Sequence, residues 1–427
     1  MRAKNEGLLA QLRRPPGGRD ARLMLTAQAV DRTGTGVWAA ASVLYFTFVA
    51  HLGARQVGLL LGVAAVAGIA GSPIAGRLAE RQPVRRLLMA GHLLRLGTMV
   101  LLLVAHGFGA LLALVAVTSL GERSAKTLEM LFATQVAGER RAVYQALFRS
   151  VANAGYAVGA GIAAIGLAVG TVGAYRALIL ANGLSYLAAA LLVRLTSANP
   201  GLRAHAAATP EGTAPQGPNP WRDRGYLLFV ALDIVMNLDD AVLNVGLPLW
   251  LIHHTRAPHA FVPAFLVINT VLVVALQLRF STWASRTSRR PADSVALIGV
   301  AMLACCLILA LTTGADAWTA TIAMTAAAVL TTVAELLRSI SSWELAVSLA
   351  PTRSRATYLG VAGMAQSIEK AAGPLLLTGA VFAGGPVGWL ALGGALAGLG
   401  VVQRRACLRR LGAMGGVAAD QPVAVRA

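Results

Sequence analysis

The sequence predicts an all-α membrane protein of twelve transmembrane helices, arranged as two pseudo-symmetric six-helix bundles. Three observations predict it: twelve apolar stretches of membrane-spanning length, a one-sided distribution of arginine, and polar positions that recur in the two halves. Of the 427 residues, 56% are hydrophobic and only 13% charged, and the mean hydropathy is +0.66. A soluble chain of this length needs more charge to wet its surface.

An apolar run of about 20 residues crosses the hydrocarbon core as a helix. Such runs lie near 23–50, 56–79, 87–105, 110–136, 142–168 and 174–193 in the first half. In the second half they lie near 226–252, 261–280, 294–313, 317–348, 356–382 and 387–403. The domain reading follows: a cytoplasmic tail over 1–22, a bundle over 23–193, a linker over 194–225, a bundle over 226–403 and a cytoplasmic tail over 404–427. The linker holds Pro200, Pro210, Pro215, Pro218 and Pro220 and reads as flexible. Both tails are polar and read as poorly ordered.

Arginine sets the orientation. With the N-terminus inside, 27 of the 37 Lys and Arg fall in cytoplasmic segments or at their span edges. The outer loops hold only Arg55, Arg176 and Arg256. The positive-inside rule then places both termini in the cytoplasm. The net charge of +19 is thus a topology signal, and no nucleic-acid partner is expected. Arg outnumbers Lys 34 to 3, a bias of high-GC bacterial genomes, so the expected location is a bacterial inner membrane. The three cysteines lie in a span or the last tail and offer no external disulfide framework. Span 1 is too long for a cleaved signal peptide and is expected to be retained.

The halves echo each other. Asp31, Thr35, Trp38 and Ser42 align with Asp233, Asn237, Asp240 and Asn244 at a constant offset of 202. Arg77 and Arg81 align with Arg286 and Arg290, Arg123 and Glu129 with Arg338 and Glu344, and Tyr144, Gly159 and Ala160 with Tyr358, Gly373 and Pro374. Parallel repeats of this kind place a substrate site between the halves near the midplane.

Loop 2–3 reads Gly76-Arg77-Leu78-Ala79-Glu80-Arg81-Gln82-Pro83-Val84-Arg85-Arg86. In this it resembles the major facilitator superfamily, specifically the bacterial drug-efflux branch, whose pattern is Gly-x-Leu-Ala-Asp-Arg-x-Gly-Arg-Arg. Glu80 stands for the usual Asp and Pro83 for the usual Gly. The resemblance implies that Gly76, Glu80, Arg81, Arg85 and Arg86 form a gating loop that latches the cytoplasmic helix ends. Arg123 falls where the family often has an embedded arginine linked to proton transfer, although Ser124, Ala125 and Lys126 depart from the usual continuation. Antiporters of the family show Gly-Pro in span 5. Here Gly155, Gly159, Ala160 and Gly161 lack the proline, while Gly373-Pro374 supplies it at the equivalent place in span 11. Antiport is the coupling this favours.

An ionisable group at membrane depth costs a few kcal/mol and faces a cavity or a partner. Nine acids lie inside spans: Asp31, Glu122, Glu129, Asp233, Asp239, Asp240, Glu335, Glu344 and Glu369. Seven bases accompany them: Arg32, Arg95, Arg123, Lys126, Arg149, Arg338 and Lys370. Asp233, Asn237, Asp240 and Asn244 recur at helical spacing on one face, as do Asp31, Thr35, Trp38, Ser42 and Tyr45. Two walls of a water-accessible cavity fit this, and polar helix–helix seams are the other reading. The cavity candidates are Thr35, Trp38, Ser42, Tyr45, Arg123, Asp233, Asn237, Asn244 and Arg338. Asp31 and Arg149 both lie roughly 13 Å in from the cytoplasmic boundary at 1.5 Å per residue, which predicts an ion pair between spans 1 and 5. Asp240 and Lys370 share a greater depth and are the second candidate pair. The proton carriers expected are Asp240 first, Glu335 second, then Asp31 and Glu122. Burial raises a carboxyl pKa and a nearby cation lowers it, so a change of face can switch protonation.

Other signals are weaker. His253, His254 and His259 lack a Cys or carboxylate beside them, and no metal site is expected. Gly58-x-x-x-Gly62 and Gly155-x-x-x-Gly159 read as helix-packing positions. No GxxxxGK[ST] motif occurs, so no nucleotide and no cofactor is expected beyond a proton gradient. An Asp-rich intramembrane enzyme needs more acid than Asp239-Asp240 provides, so the chain is not expected to be an enzyme. The expectation is a monomeric, proton-driven exporter with the bilayer, protons and a small organic substrate as partners. Uptake or uniport of a small polar metabolite is the alternative.

Overall fold

The computed structural model describes residues 12–137, 140–197, 218–258, 261–284 and 290–419. Within them the chain forms twelve helical rods. The first six are α1 (Gly18–Leu44, continued by a π turn over Tyr45–Val49), α2 (Ala54–Leu78), α3 (Val84–Val104), α4 (Phe108–Ala137), α5 (Arg141–Val169) and α6 (Val172–Arg194). The seventh, α7, is broken into Arg224–Met236, Leu238–Ala241, a π turn over Val242–Gly246, and Leu247–His254. Then come α8 (Val262–Ala284), α9 (Arg290–Leu311) and α10 (Ala317–Ser348). The eleventh, α11, is broken into Arg355–Ala362, Met364–Leu376 and a π turn over Leu377–Val381, and α12 spans Gly385–Ala419.

Eight rods contain a window long and apolar enough to cross a bilayer by length and composition. The other four are α1, α7, α8 and α11. Asp31 and Arg32 sit in the middle of α1, whereas α7 and α11 are interrupted. Leu59, Val66, Leu101, Ile165, Leu184, Val300 and Val387 stand on the outer surface of the helices. That apolar exterior suits lipid, which is as apolar as the side chains themselves.

The chain divides into two compact units. The first holds residues 1–216 and 356–367, the second 217–355 and 368–427. In the first unit α1 packs on α5 and α6, α2 on α4, and α3 on α4 and α6. In the second, α8 packs on α10, and α9 on α10 and α12. The α2–α4 and α3–α6 pairings thus recur as α8–α10 and α9–α12. The expected linker residues 198–217 and His259 and Arg286 lie outside the described residues.

Local chemistry explains the helix ends. Thr171 caps α6 by accepting the Ala174 amide at 3.2 Å. Asp223 caps α7 through the Tyr226 amide at 3.0 Å. Asp316 accepts the Trp318 and Thr319 amides ahead of α10. Its hydrogen bonds from Thr319 hold this exposed carboxyl below its ordinary range.

Two sequence expectations need correction here. Residues 404–419 are not a loose tail but a continuation of α12. Arg410 makes a two-pronged ion pair with Asp223 at 2.6 and 2.7 Å and donates to the Leu349 carbonyl, while Arg404 meets Asp293 at 2.8 Å. These bonds give the helix extension something to hold. The second correction concerns the glycine pairs. A Cβ on Gly159 would lie 2.0 Å from the Thr33 carbonyl oxygen, and one on Gly155 2.7 Å from that of Ala29, so α1 and α5 touch backbone to backbone. Gly58 and Gly62, by contrast, have open space around them.

Candidate functional site

Each unit carries its own buried polar cluster. In the first, Asp31 on α1 is 1% exposed. Arg95 on α3, with no exposed surface, donates Nη1 to Asp31 Oδ1 at 2.8 Å and Nη2 to Thr35 Oγ1 at 3.3 Å. The Arg95 guanidinium also lies over the Tyr186 ring, 3.9 Å from its centroid. His92, one turn before Arg95, brings Nδ1 to 3.6 Å from the same carboxylate. A second layer is built on Arg32, which lies 3.7 Å from Asp31, 3.6 Å from Glu122 and 3.4 Å from Glu129. The Gln28 amide, oriented to satisfy both its atoms, donates to Glu129 at 3.0 Å and accepts from Arg32 at 2.9 Å.

The partner of Asp31 is therefore Arg95, not Arg149. Counting depth along a rod finds groups at one level of the membrane. It does not say which face each presents, and α3 turns Arg95 inward beside α1.

The second cluster forms where α7 breaks. The regular helix ends at Met236, and Asn237 caps it with amide bonds to the Asp233 and Ile234 carbonyls. Asp240 then bonds back three residues, to the Asn237 carbonyl. This tightening, with the π turn after Ala241, changes the angular register of the rod. Asp233, Asn237 and Asp239 are buried, Asp240 is partly so, and Asn244 is exposed with its amide on the Asp240 carbonyl. An unbroken helix would have set Asp240 beside Asn237 and turned Asp239 away. Instead Arg338 on α10 donates Nε to Asp239 at 2.6 Å and Nη1 to Asn237 Oδ1 at 2.8 Å. Ser342, one turn on, donates to Asp233 at 2.6 Å. The expected Asp240–Lys370 pair is likewise replaced: the close carboxylate–cation pair here is Asp239–Arg338, and Lys370 is exposed. Glu335 accepts from Asn269 on α8.

The remaining expected residues scatter. Ser42 donates to the Ala39 carbonyl, and Tyr45 is 5% exposed with its hydroxyl on the Leu102 carbonyl. Trp38 packs edge-on against Phe46, 5.7 Å between ring centres. These two rings belong to a buried apolar cluster of the first unit. Arg123 lies against Gly68 and Gly71 of α2. Trp250 is fully buried and stacks on His254 at 3.9 Å.

The residues expected to form a gating loop sit at the end of α2 and the start of α3. Within the first unit, Glu80 accepts a hydrogen bond from Thr357, and a Cβ on Gly76 would lie 2.5 Å from the Ala356 carbonyl oxygen. Lys126 donates to Gln366 in the same segment. Arg85 donates to the Thr196 carbonyl at 2.8 Å, while Arg81 and Arg86 are exposed.

Sequence reasoning counted Arg95, Asp239 and Glu369 among the embedded charges without making any of them a site candidate, and it passed over His92. A carboxylate one turn before Gly373-Pro374 was the signal available for Glu369. Among the described residues, no group of three or more His, Cys, Asp or Glu is placed to hold a metal ion.

The chain matches the model of the Major Facilitator Superfamily over residues 25–374. No curated protein matches it. Solved structures that it resembles include a bacterial homologue of the iron transporter ferroportin in an outward-facing state, with TM-score 0.70 and 13% identity over 92% of this chain and 99% of that one. The same homologue soaked with iron aligns at TM-score 0.68 and 14% identity, covering 91% and 98%. The proton:xylose symporter XylE bound to 6-bromo-6-deoxy-D-glucose aligns at TM-score 0.67 and 15% identity, covering 91% and 94%. At such identities the likeness speaks for the fold. The family match covers most of the chain, and the twelve-helix architecture agrees with it: the chain belongs to the major facilitator superfamily and is a multi-pass membrane transporter, not an enzyme.

Proposed function

We propose that this transporter exports small amphipathic organic compounds across a bacterial cytoplasmic membrane, by alternating access coupled to proton entry. The observation that supports the reading is the imbalance of embedded charge. The first-half helices hold three acids and five bases within the spans. Setting aside Arg279 at the cytoplasmic edge of its span, the second-half helices hold six acids, Asp233, Asp239, Asp240, Glu335, Glu344 and Glu369, against Arg338 and Lys370. Carboxylates in that excess cannot all stay ionised at membrane depth. Groups that must bind protons, and lose them when water reaches them, are what a proton-coupled carrier requires.

Both termini lie in the cytoplasm on this reading, because the arginines of the inner segments far outnumber those of the outer loops. The monomer needs no metal or organic cofactor; the proton gradient drives it. Proton-coupled uptake of a polar metabolite is the second reading, and the likeness to a proton:xylose symporter favours it. The test uses purified protein in liposomes with an imposed pH gradient and ethidium as probe, beside tolerance profiling of overexpressing cells. Gradient-driven ethidium movement and raised tolerance support export. Unchanged tolerance to every compound, with faster uptake of one nutrient, overturns it.

A further inference from the structure

Glu369 lies on α11, in the second unit, and is 1% exposed. Neither of its carboxyl oxygens meets a hydrogen-bond partner among the described residues. The group rests over Gly373, one turn further on: a Cβ built on that glycine would come 2.8 Å from Oε1. The same Cβ would lie 2.9 Å from the Ala241 Cβ and 3.4 Å from Leu238 Cδ2, so the surroundings on the α7 side are apolar. The charged groups that act on it are Asp240 and Asp239 from α7, Arg338 from α10 and its own neighbour Lys370. Arg338 is already bound to Asp239 and Asn237, and Lys370 is exposed.

We propose that Glu369 is a proton-binding site of this carrier, held neutral between Gly373, Ala241 and Leu238 while Asp239 occupies Arg338. A carboxylate unpaired in such a place costs several kcal/mol, and taking up a proton removes the cost. The proton leaves when water reaches the group or when Arg338 exchanges Asp239 for Glu369. Glycine at 373 leaves the room that the carboxyl occupies. The transport role of this proton rests on the proton-coupled reading above; the proton site itself does not.

Infrared difference spectra of the purified protein, on stepping the pH from neutral to alkaline, test the site without any substrate. The expected result is a protonated-carboxyl C=O band that Glu369→Gln removes and that Asp240→Asn and Glu335→Gln retain. Gly373→Ala, whose new methyl presses on Oε1, shifts the band in frequency and leaves it present. A band of unchanged size in Glu369→Gln, no such band in the wild type, or an unmoved band in Gly373→Ala overturns the proposal. Ethidium flux in liposomes then tests the role: Glu369→Gln loses gradient-driven accumulation at least about 10-fold while keeping ethidium exchange, a loss of about 1.4 kcal/mol of coupling. Gradient-driven accumulation equal to wild type overturns the role of Glu369. Wild-type protein that ignores the gradient overturns the proton-coupled reading instead, and the infrared result stands by itself.

Discussion

Replacing Arg95 by Met removes a cation without leaving a hole and exposes the Asp31 carboxylate to its buried surroundings. Losing one member of a buried pair costs about 3–5 kcal/mol, because the other is left uncompensated. Two features of the site adjust that figure. Arg32, 3.7 Å away, still faces Asp31 and moves the cost toward the lower end. The stacking of Arg95 on Tyr186 at 3.9 Å adds about 1 kcal/mol to the loss. The net expectation is roughly 4 kcal/mol, or about 10 °C in the apparent Tm for a unit of this size. Tryptophan fluorescence during heating in detergent reads it. The companion variant Asp31→Asn with Arg95→Met carries no stranded charge and should recover at least half of the lost Tm. A drop of less than about 2 °C in the single variant would refute the reasoning, since no buried pair costs so little to break. A double variant no better than the single would show that the loss came from packing and not from the stranded carboxylate.

The other predictions follow from the same geometry. Arg338→Met should lower the apparent Tm more than Arg95→Met, because Asp239 has Glu335 and Asp240 as charged neighbours and, among the described residues, Arg338 is the cation that acts on it, with no counterpart to Arg32. Gly159→Leu should abolish folded yield in size-exclusion profiles, because α1 backbone occupies the place of its Cβ, whereas Gly58→Leu in open space should change stability by less than about 0.5 kcal/mol. Arg410→Ala removes the paired bonds to Asp223 at the head of α7 and should cost about 1–2 kcal/mol in denaturant unfolding. Ser72 on α2 is buried against Gly363 of the 356–367 segment, so Thr357→Val, which removes the hydrogen bond to exposed Glu80, should raise thiol labelling of a Ser72→Cys variant about 3-fold, equivalent to about 0.6 kcal/mol; an unchanged rate would show that loop 2–3 does not hold that segment.

Much of the architecture was legible along the chain. The twelve rods and the sets of embedded charge follow from hydropathy, because a bilayer imposes the same length and polarity limits on every crossing. The loop 2–3 motif lay open for a similar reason: its residues are contiguous, at the end of α2 and the start of α3. Partner choice was another matter. Asp31 and Arg149 share a depth, yet Arg95 on the neighbouring α3 takes the carboxylate. Asp240 shares a stripe with Asn237 in an ideal helix, yet the break at Asn237 delivers Asp239 to Arg338. Depth is a one-dimensional quantity that the chain carries in its numbering. Facing is an angle, set by where a rod breaks, how closely glycines such as Gly159 let two backbones approach, and which distant rod is the neighbour. Those are properties of packing, so only the tertiary structure decided them, and it left Glu369, a group the numbering did not single out, as the buried acid without a hydrogen-bond partner among the described residues of α11.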